Sequence, residues 1–122
     1  FAYLAAQTAY EHCDEWLAQA KDYIWNNIKF VDEYLKANIP QIKAMTPEAS
    51  FLVWLDCREL NLSQKALVSL FVDDAKLALN DGEMFGQGWE GYMRLNVGTP
   101  LANIQKALDN LKKAVHAKQI HD

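Results

Sequence analysis

Between residues 14 and 38 the apolar side chains Leu17, Ala20, Ile24, Ile28, Val31 and Leu35 recur at steps of three and four. That spacing describes one face of an amphipathic helix of about seven turns. A second line, Trp16, Tyr23, Phe30 and Tyr34, runs beside the first, so the apolar stripe is unusually wide. A wide stripe calls for burial against more than one layer. Either this domain supplies every layer, or one line awaits a further domain or subunit. Asn38, just before Ile39-Pro40, marks the stop, because proline disfavours helical backbone in the residue that precedes it.

The segments around this helix alternate between strand and helix signals. Residues 42–45 and 51–57 read as a hairpin across the loop 46–50, and Phe51-Leu-Val-Trp-Leu-Asp-Cys57 is apolar on both faces as far as Asp56. Asn61 followed by Gln64 has the form of a capping box. It predicts a helix to about residue 75 that buries Ala66, Leu67, Leu70 and Phe71. Residues 76–79 read as a short strand ending in the turn Asn80-Asp-Gly82, and residues 92–97 as the last strand. Thr99-Pro100 then opens a helix carrying Leu101, Ile104, Leu108, Leu111 and Val115. The expected architecture is α+β, a small and mostly antiparallel sheet covered by helices.

A chain of 122 residues suits one domain, here residues 1–122. Residues 1–10 are already helical in pattern, with no Ser, Thr, Asp or Asn ahead of them to cap the first amides, as if the chain were cut in or just before a helix. The tail from Gln119 to Asp122 reads as frayed. A net charge of −4 without any basic run excludes an electrostatic nucleic-acid footprint. No segment approaches the ~20 apolar residues of a membrane span, and no signal peptide is expected. Cys13 and Cys57 lack the paired spacing of zinc or redox motifs, so a reduced, cytoplasmic protein is expected, with a disulfide between the two left open.

Chemistry concentrates in Gly82-Glu-Met-Phe-Gly-Gln-Gly-Trp-Glu-Gly-Tyr-Met-Arg-Leu-Asn96, where four glycines lead into a strand bearing one of the chain's two arginines. Glycine allows close backbone approach to a ligand, and arginine offers a rigid fork for a carboxylate or phosphate. Period two places Tyr92, Arg94 and Asn96 on one strand face and Met93, Leu95 and Val97 on the other, core-facing one. Arg94 is then either an anion receptor or a solvated, locally paired residue, and the pattern alone supports both. Asp73-Asp74 reads as a solvated helix face, and His12, His116 and His121 have no metal-ligand spacing. Neither a G-x-S-x-G elbow around Ser50 or Ser63 nor a phosphate loop is present. The residues amount to half of a binding site, without a catalytic apparatus and without a metal site.

Three blocks carry a family resemblance: Pro47-Glu-Ala-Ser-Phe-Leu-Val-Trp-Leu-Asp-Cys-Arg58, Ala78-Leu-Asn-Asp-Gly-Glu-Met-Phe-Gly86 and Gly91-Tyr-Met-Arg-Leu-Asn96. In order and spacing they resemble the C-terminal, small domain of fold-type I pyridoxal-phosphate enzymes. The branch is the class I/II aminotransferase family, and within it the MalY/PatB-type cystathionine β-lyases (C–S lyases). The resemblance implies a domain that closes over a large cofactor-binding domain not contained in this chain, in a homodimeric parent protein. It implies that Arg94 binds the α-carboxylate of a small amino-acid substrate, with Ser50, Phe51, Met84, Phe85, Tyr92 and Asn96 as candidate pocket lining.

By the same resemblance, the lysine that forms a Schiff base with the cofactor lies upstream, and none of the ten lysines here has a comparable setting. The chain alone is therefore expected to bind no cofactor and to be inactive. Two departures from the family pattern are Trp89, where small or polar residues are usual, and Leu101, where arginine is frequent. Trp89 is expected to shape the substrate entrance or to cap the apolar sheet face. The implied activity is cleavage of a Cβ–S bond to pyruvate, ammonia and a thiol. Amino transfer is the alternative within the family, and a stand-alone anion-binding or interaction module is the alternative outside it.

Overall fold

Helix α1 (Ala2–His12) is followed after Cys13 by the long α2 (Asp14–Asn38), and the remainder builds a four-stranded sheet and its cover. The computed structural model describes residues 1–119, so the tail expectation beyond Gln119, His121 included, lies outside the described residues. The strands are β1 (Lys43–Met45), β2 (Leu52–Asp56), β3 (Asn80–Asp81) and β4 (Tyr92–Asn96), in spatial order β1-β2-β4-β3 with every pair antiparallel. Between β2 and β3 run a 3₁₀ turn (Arg58–Leu60) and α3 (Gln64–Ser69), and α4 (Leu101–Gln119) closes the chain. This is the expected α+β arrangement.

The core lies between one sheet face and the helices. Val53 and Leu55 of β2, Met93 and Leu95 of β4, and Val97 beyond it are buried against Ile28, Val31 and Leu35 of α2 and Ile104, Leu108 and Leu111 of α4. Alternation in β4 thus sorts residues as period two requires. The α2 stripe divides along its length rather than side to side. Its C-terminal half is packed, with Phe30 and Tyr34 half-buried, whereas Trp16 (70% exposed) and Leu17 (50%) stand in the open and α1 buries nothing. The Tyr34 hydroxyl donates to Asp109 Oδ1 at 2.5 Å, tying α2 to α4; burial and that bond push its pKa up to about 12.

Four local expectations are corrected. Asn61 does not cap α3: it adopts a left-handed conformation, and Ser63 Oγ accepts the Ala66 amide instead. Gln64 therefore does not reach back to a cap, and its side chain is spent elsewhere, as shown below. The helix does not run regularly to residue 75, because residues Leu70–Asp74 widen into a π turn that seats Leu70 and Phe71 in the core. Residues 76–79 are not a strand: Lys76 has φ +59°, and the strand falls one step later on Asn80–Asp81, which pair with β4 instead of turning. β2 is not covered equally on both faces; Val53 and Leu55 are buried, while Leu52, Trp54 and Asp56 are half-exposed. Both cysteines are free thiols, with Cys57 buried and Cys13 half-buried.

Candidate functional site

The outer sheet face is set by strand register. Arg94 stands opposite Trp54 on one side and Asn80 on the other, and Tyr92 stands opposite Asp56. After β3 the 3₁₀ turn Gly82–Phe85 folds back along β4. Gly82 makes that approach possible: a Cβ there would lie 2.3 Å from the Trp89 carbonyl oxygen and 2.6 Å from that of Tyr92. The Gln64 side chain holds the same corner, accepting the Gly91 amide at 2.7 Å and donating to Asp81. Asp81 also accepts the Glu83 amide at 3.0 Å.

These elements place Phe85 over Arg94, with the guanidinium carbon 4.3 Å from the ring centroid. Arg94 Nη2 donates to Asn80 Oδ1 at 3.1 Å, and Nε is buried with no acceptor. No ion pair among the described residues includes Arg94. The other arginine is the reverse case. Arg58 donates from Nε and Nη2 to the two oxygens of Asp56 (2.9 and 2.7 Å), lies 5.0 Å from the Tyr92 ring, and holds the Asp56 carboxyl below its ordinary range. The strand acid on this face is thus neutralised by Arg58, while Arg94 keeps an unbalanced positive charge in a half-buried setting. Such an arrangement favours a bidentate anion at the free edge of the fork.

An aromatic wall borders the fork. Trp54 stacks on Trp89 at 4.2 Å and meets Phe85 edge-on at 5.1 Å, and Tyr92 packs edge-on against Trp89 at 5.3 Å. Trp89 therefore caps the sheet face. Of the residues singled out in the sequence, Arg94, Phe85 and Tyr92 come together here. Met84 shares the turn but is 71% exposed. Asn96 turns away, its Oδ1 accepting the Gly98 amide at 2.8 Å. Ser50, with φ +73°, and Phe51 line a separate cleft of ≈ 340 Å³ with Trp25, Ile28 and Pro47. Leu101 sits at the start of α4, where its amide donates to the Tyr23 hydroxyl at 2.8 Å.

Sequence reasoning missed Asn80 and Trp54. From the sequence Asn80 reads as the start of a turn, in a loop that by resemblance runs past the mouth of the site, and Trp54 as one residue of a strand covered on both faces; only strand pairing shows both beside Arg94. Among the described residues no cluster of His, Cys, Asp or Glu is suited to a metal ion, and no helix is long and apolar enough to cross a membrane.

The chain is 36% identical, over 94% of its length, to cystathionine β-lyase PatB of Bacillus subtilis, and 29% identical, over 89%, to protein MalY of Escherichia coli. Its fold matches cystalysin from Treponema denticola, whose crystal structure contains pyridoxal 5′-phosphate, with a TM-score of 0.91 and 32% identity over 94% of this chain. It spans only 30% of PatB, 28% of MalY and 29% of the cystalysin chain. Aminotransferases match as well: the structure of a pyridoxal-phosphate-bound putative aminotransferase from Clostridium difficile at 36% identity and a TM-score of 0.88 over 91% of this chain, and aromatic aminotransferases of Thermococcus litoralis and Pyrococcus horikoshii at 24% and 21%. No protein-family model matches the chain.

Proposed function

We propose, from the premise that this chain belongs with the MalY/PatB-type C–S lyases of fold type I and corresponds to their small C-terminal domain, that it is the substrate-closing part of a pyridoxal-phosphate β-lyase. The whole protein would cleave the Cβ–S bond of a sulfur amino acid such as cystathionine, giving pyruvate, ammonia and a thiol. When bound, the cofactor supplies the electron sink for that chemistry.

The residues present do not fit a cradle for the cofactor. A Schiff-base lysine works in a desolvated setting, yet eight of the ten lysines are exposed and the other two, Lys112 and Lys118, only half-buried. Cofactor binding is therefore assigned to the large domain that makes up most of the relatives' length. The open faces of α1 and the N-terminal half of α2 suit contact with it. Residues 1–122 would act as one unit in a cytoplasmic homodimer.

The observation that carries the proposal is Arg94: a half-buried guanidinium with no carboxylate partner among the described residues, one bond to a neutral amide and an unsatisfied buried Nε. Its part is to bind and orient the substrate α-carboxylate. A charge-assisted pair of this kind contributes about 1.5–3 kcal/mol, or one to two powers of ten in affinity. The Trp54–Phe85 wall excludes water from one side of that contact and strengthens it. Met84, exposed on the same turn as Phe85, is assigned to the mouth of the pocket, whereas Ser50, Phe51 and Asn96 lie apart from the Arg94 fork.

The test is to assay the full-length protein with L-cystathionine for pyruvate and thiol release without added 2-oxo acid. Release at a rate exceeding amino transfer to 2-oxoglutarate supports the lyase, and faster amino transfer supports the aminotransferase. Neither activity, together with a start codon immediately before Phe1, favours a stand-alone anion-binding module.

A further inference from the structure

The contacts around the Arg94 fork are neutral, and the critical neighbour is Asn80. Strand register sets Asn80 directly across from Arg94, and its Oδ1 accepts from Nη2 at 3.1 Å. An acid at this position would make the same hydrogen bond and also neutralise the guanidinium. Nearby acids are diverted or unpaired with it. Asp56 is committed to both nitrogens of the Arg58 fork. Asp81, one residue after Asn80, falls on the opposite side of β3 across from Met93, and its carboxylate is held by Gln64 and the Glu83 amide. Glu83 and Glu90 are exposed and form no ion pair with Arg94.

Phe85 covers the guanidinium with its π face, which holds a cation without donating or accepting a proton. The buried Nε is left without an acceptor. A neutral acceptor, a neutral aromatic cover and diverted acids together leave one edge of a charged fork unsatisfied.

We propose that Asn80 is a positioning residue for Arg94, orienting the guanidinium through Nη2 while leaving its charge free for the incoming carboxylate. The proposal rests on Arg94 being the substrate-carboxylate receptor. Its sharpest consequence concerns Asn80→Asp, which is isosteric and preserves the hydrogen-bond acceptor. A merely structural Asn80 would tolerate that change. A positioning Asn80 would not, because the new carboxylate competes with the substrate for the same cation.

The experiment compares the full-length protein with N80D, Arg94→Ala and the double variant. L-cystathionine is the probe, KM and kcat are measured for pyruvate release, and Kd is measured by quenching of tryptophan fluorescence. N80D is expected to raise both KM and Kd by about tenfold or more with kcat within about twofold, since an ion pair must be displaced before substrate binds. In the R94A background the N80D effect should vanish.

If N80D is silent while R94A raises KM, the proposal is overturned and the role of Arg94 stands. If both are silent, the role of Arg94 falls and the proposal falls with it. An N80D effect that persists undiminished in R94A is structural and also overturns it. Should N80D fail to fold, Asn80→Ala decides: a rise of a few-fold in KM that depends on Arg94 supports the proposal, and no change overturns it.

Discussion

Asn27 is the one buried polar residue among the described core positions, 1% exposed, and its role can be tested quantitatively. Its Nδ2 donates to the carbonyls of Val97 (3.0 Å) and Thr99 (2.9 Å), clamping α2 to the segment that leaves β4 for α4. Asn27→Ala removes both donors and leaves two carbonyls without them at a site little open to water. At about 1–2 kcal/mol for each, the loss is about 2–4 kcal/mol, a large share of the ~5–15 kcal/mol that holds a domain together. With a urea dependence of about 1.5 kcal/mol per molar, the unfolding midpoint should fall by about 1.3–2.7 M. Urea titration followed by tryptophan fluorescence and far-ultraviolet circular dichroism measures it. Asn27→Asp should be worse at neutral pH, because a carboxylate would face two carbonyl oxygens. It should partly recover in acid, where a protonated carboxyl can donate once. An N27A midpoint within about 0.3 M of the parent, or N27D more stable than N27A at neutral pH, would refute the clamp.

Gly82→Ala should destabilise the chain by about 1–3 kcal/mol, since the new Cβ meets the backbone oxygens of Trp89 and Tyr92 at 2.3 and 2.6 Å. Near-ultraviolet circular dichroism from the Trp54–Trp89 stack should weaken with it, and an unchanged spectrum and midpoint would count against the close approach. Hydrogen bonding from Arg58 holds the Asp56 carboxyl below its ordinary range. The stabilisation is therefore present above the ordinary carboxylate range and is lost as pH falls through the lowered value. Asp56→Asn should flatten the acid limb of a urea-midpoint profile, and an unaltered limb would contradict the pairing. Burial pushes the Cys57 thiol far up, whereas Cys13 is half-buried at a helix junction. In residues 1–122 on their own, a thiol reagent should label Cys13 under native conditions and Cys57 only after unfolding; labelling of both under native conditions would show that Cys57 is accessible.

Much of the fold was legible because its signals are local and periodic. The 3.6-residue spacing of Ile28, Val31 and Leu35 and the two-residue spacing of Met93, Leu95 and Val97 both report which side faces the core. Residues 61–81 were less legible, since competing local options are close in energy there. Ser63 and Asn61 are both plausible caps, and Asn80-Asp81-Gly82 suits a turn or a strand end equally well. Long-range partners decide between them: Gln64 is drawn to Gly91 and Asp81, and Asn80 to Arg94.

The sequence by itself determined that an arginine would stand on the outer face of the last strand after a glycine-rich approach, because alternation along a strand needs no knowledge of its neighbours. Only the tertiary structure decided what that arginine is. Strand order β2-β4-β3 puts Trp54 and Asn80 on either side of it, and Gly82 brings Phe85 over it. Arg58, meanwhile, takes Asp56. Whether a guanidinium is neutralised or left ready for an anion depends on charges brought near it from distant parts of the chain, and pairing between strands is what sets those distances.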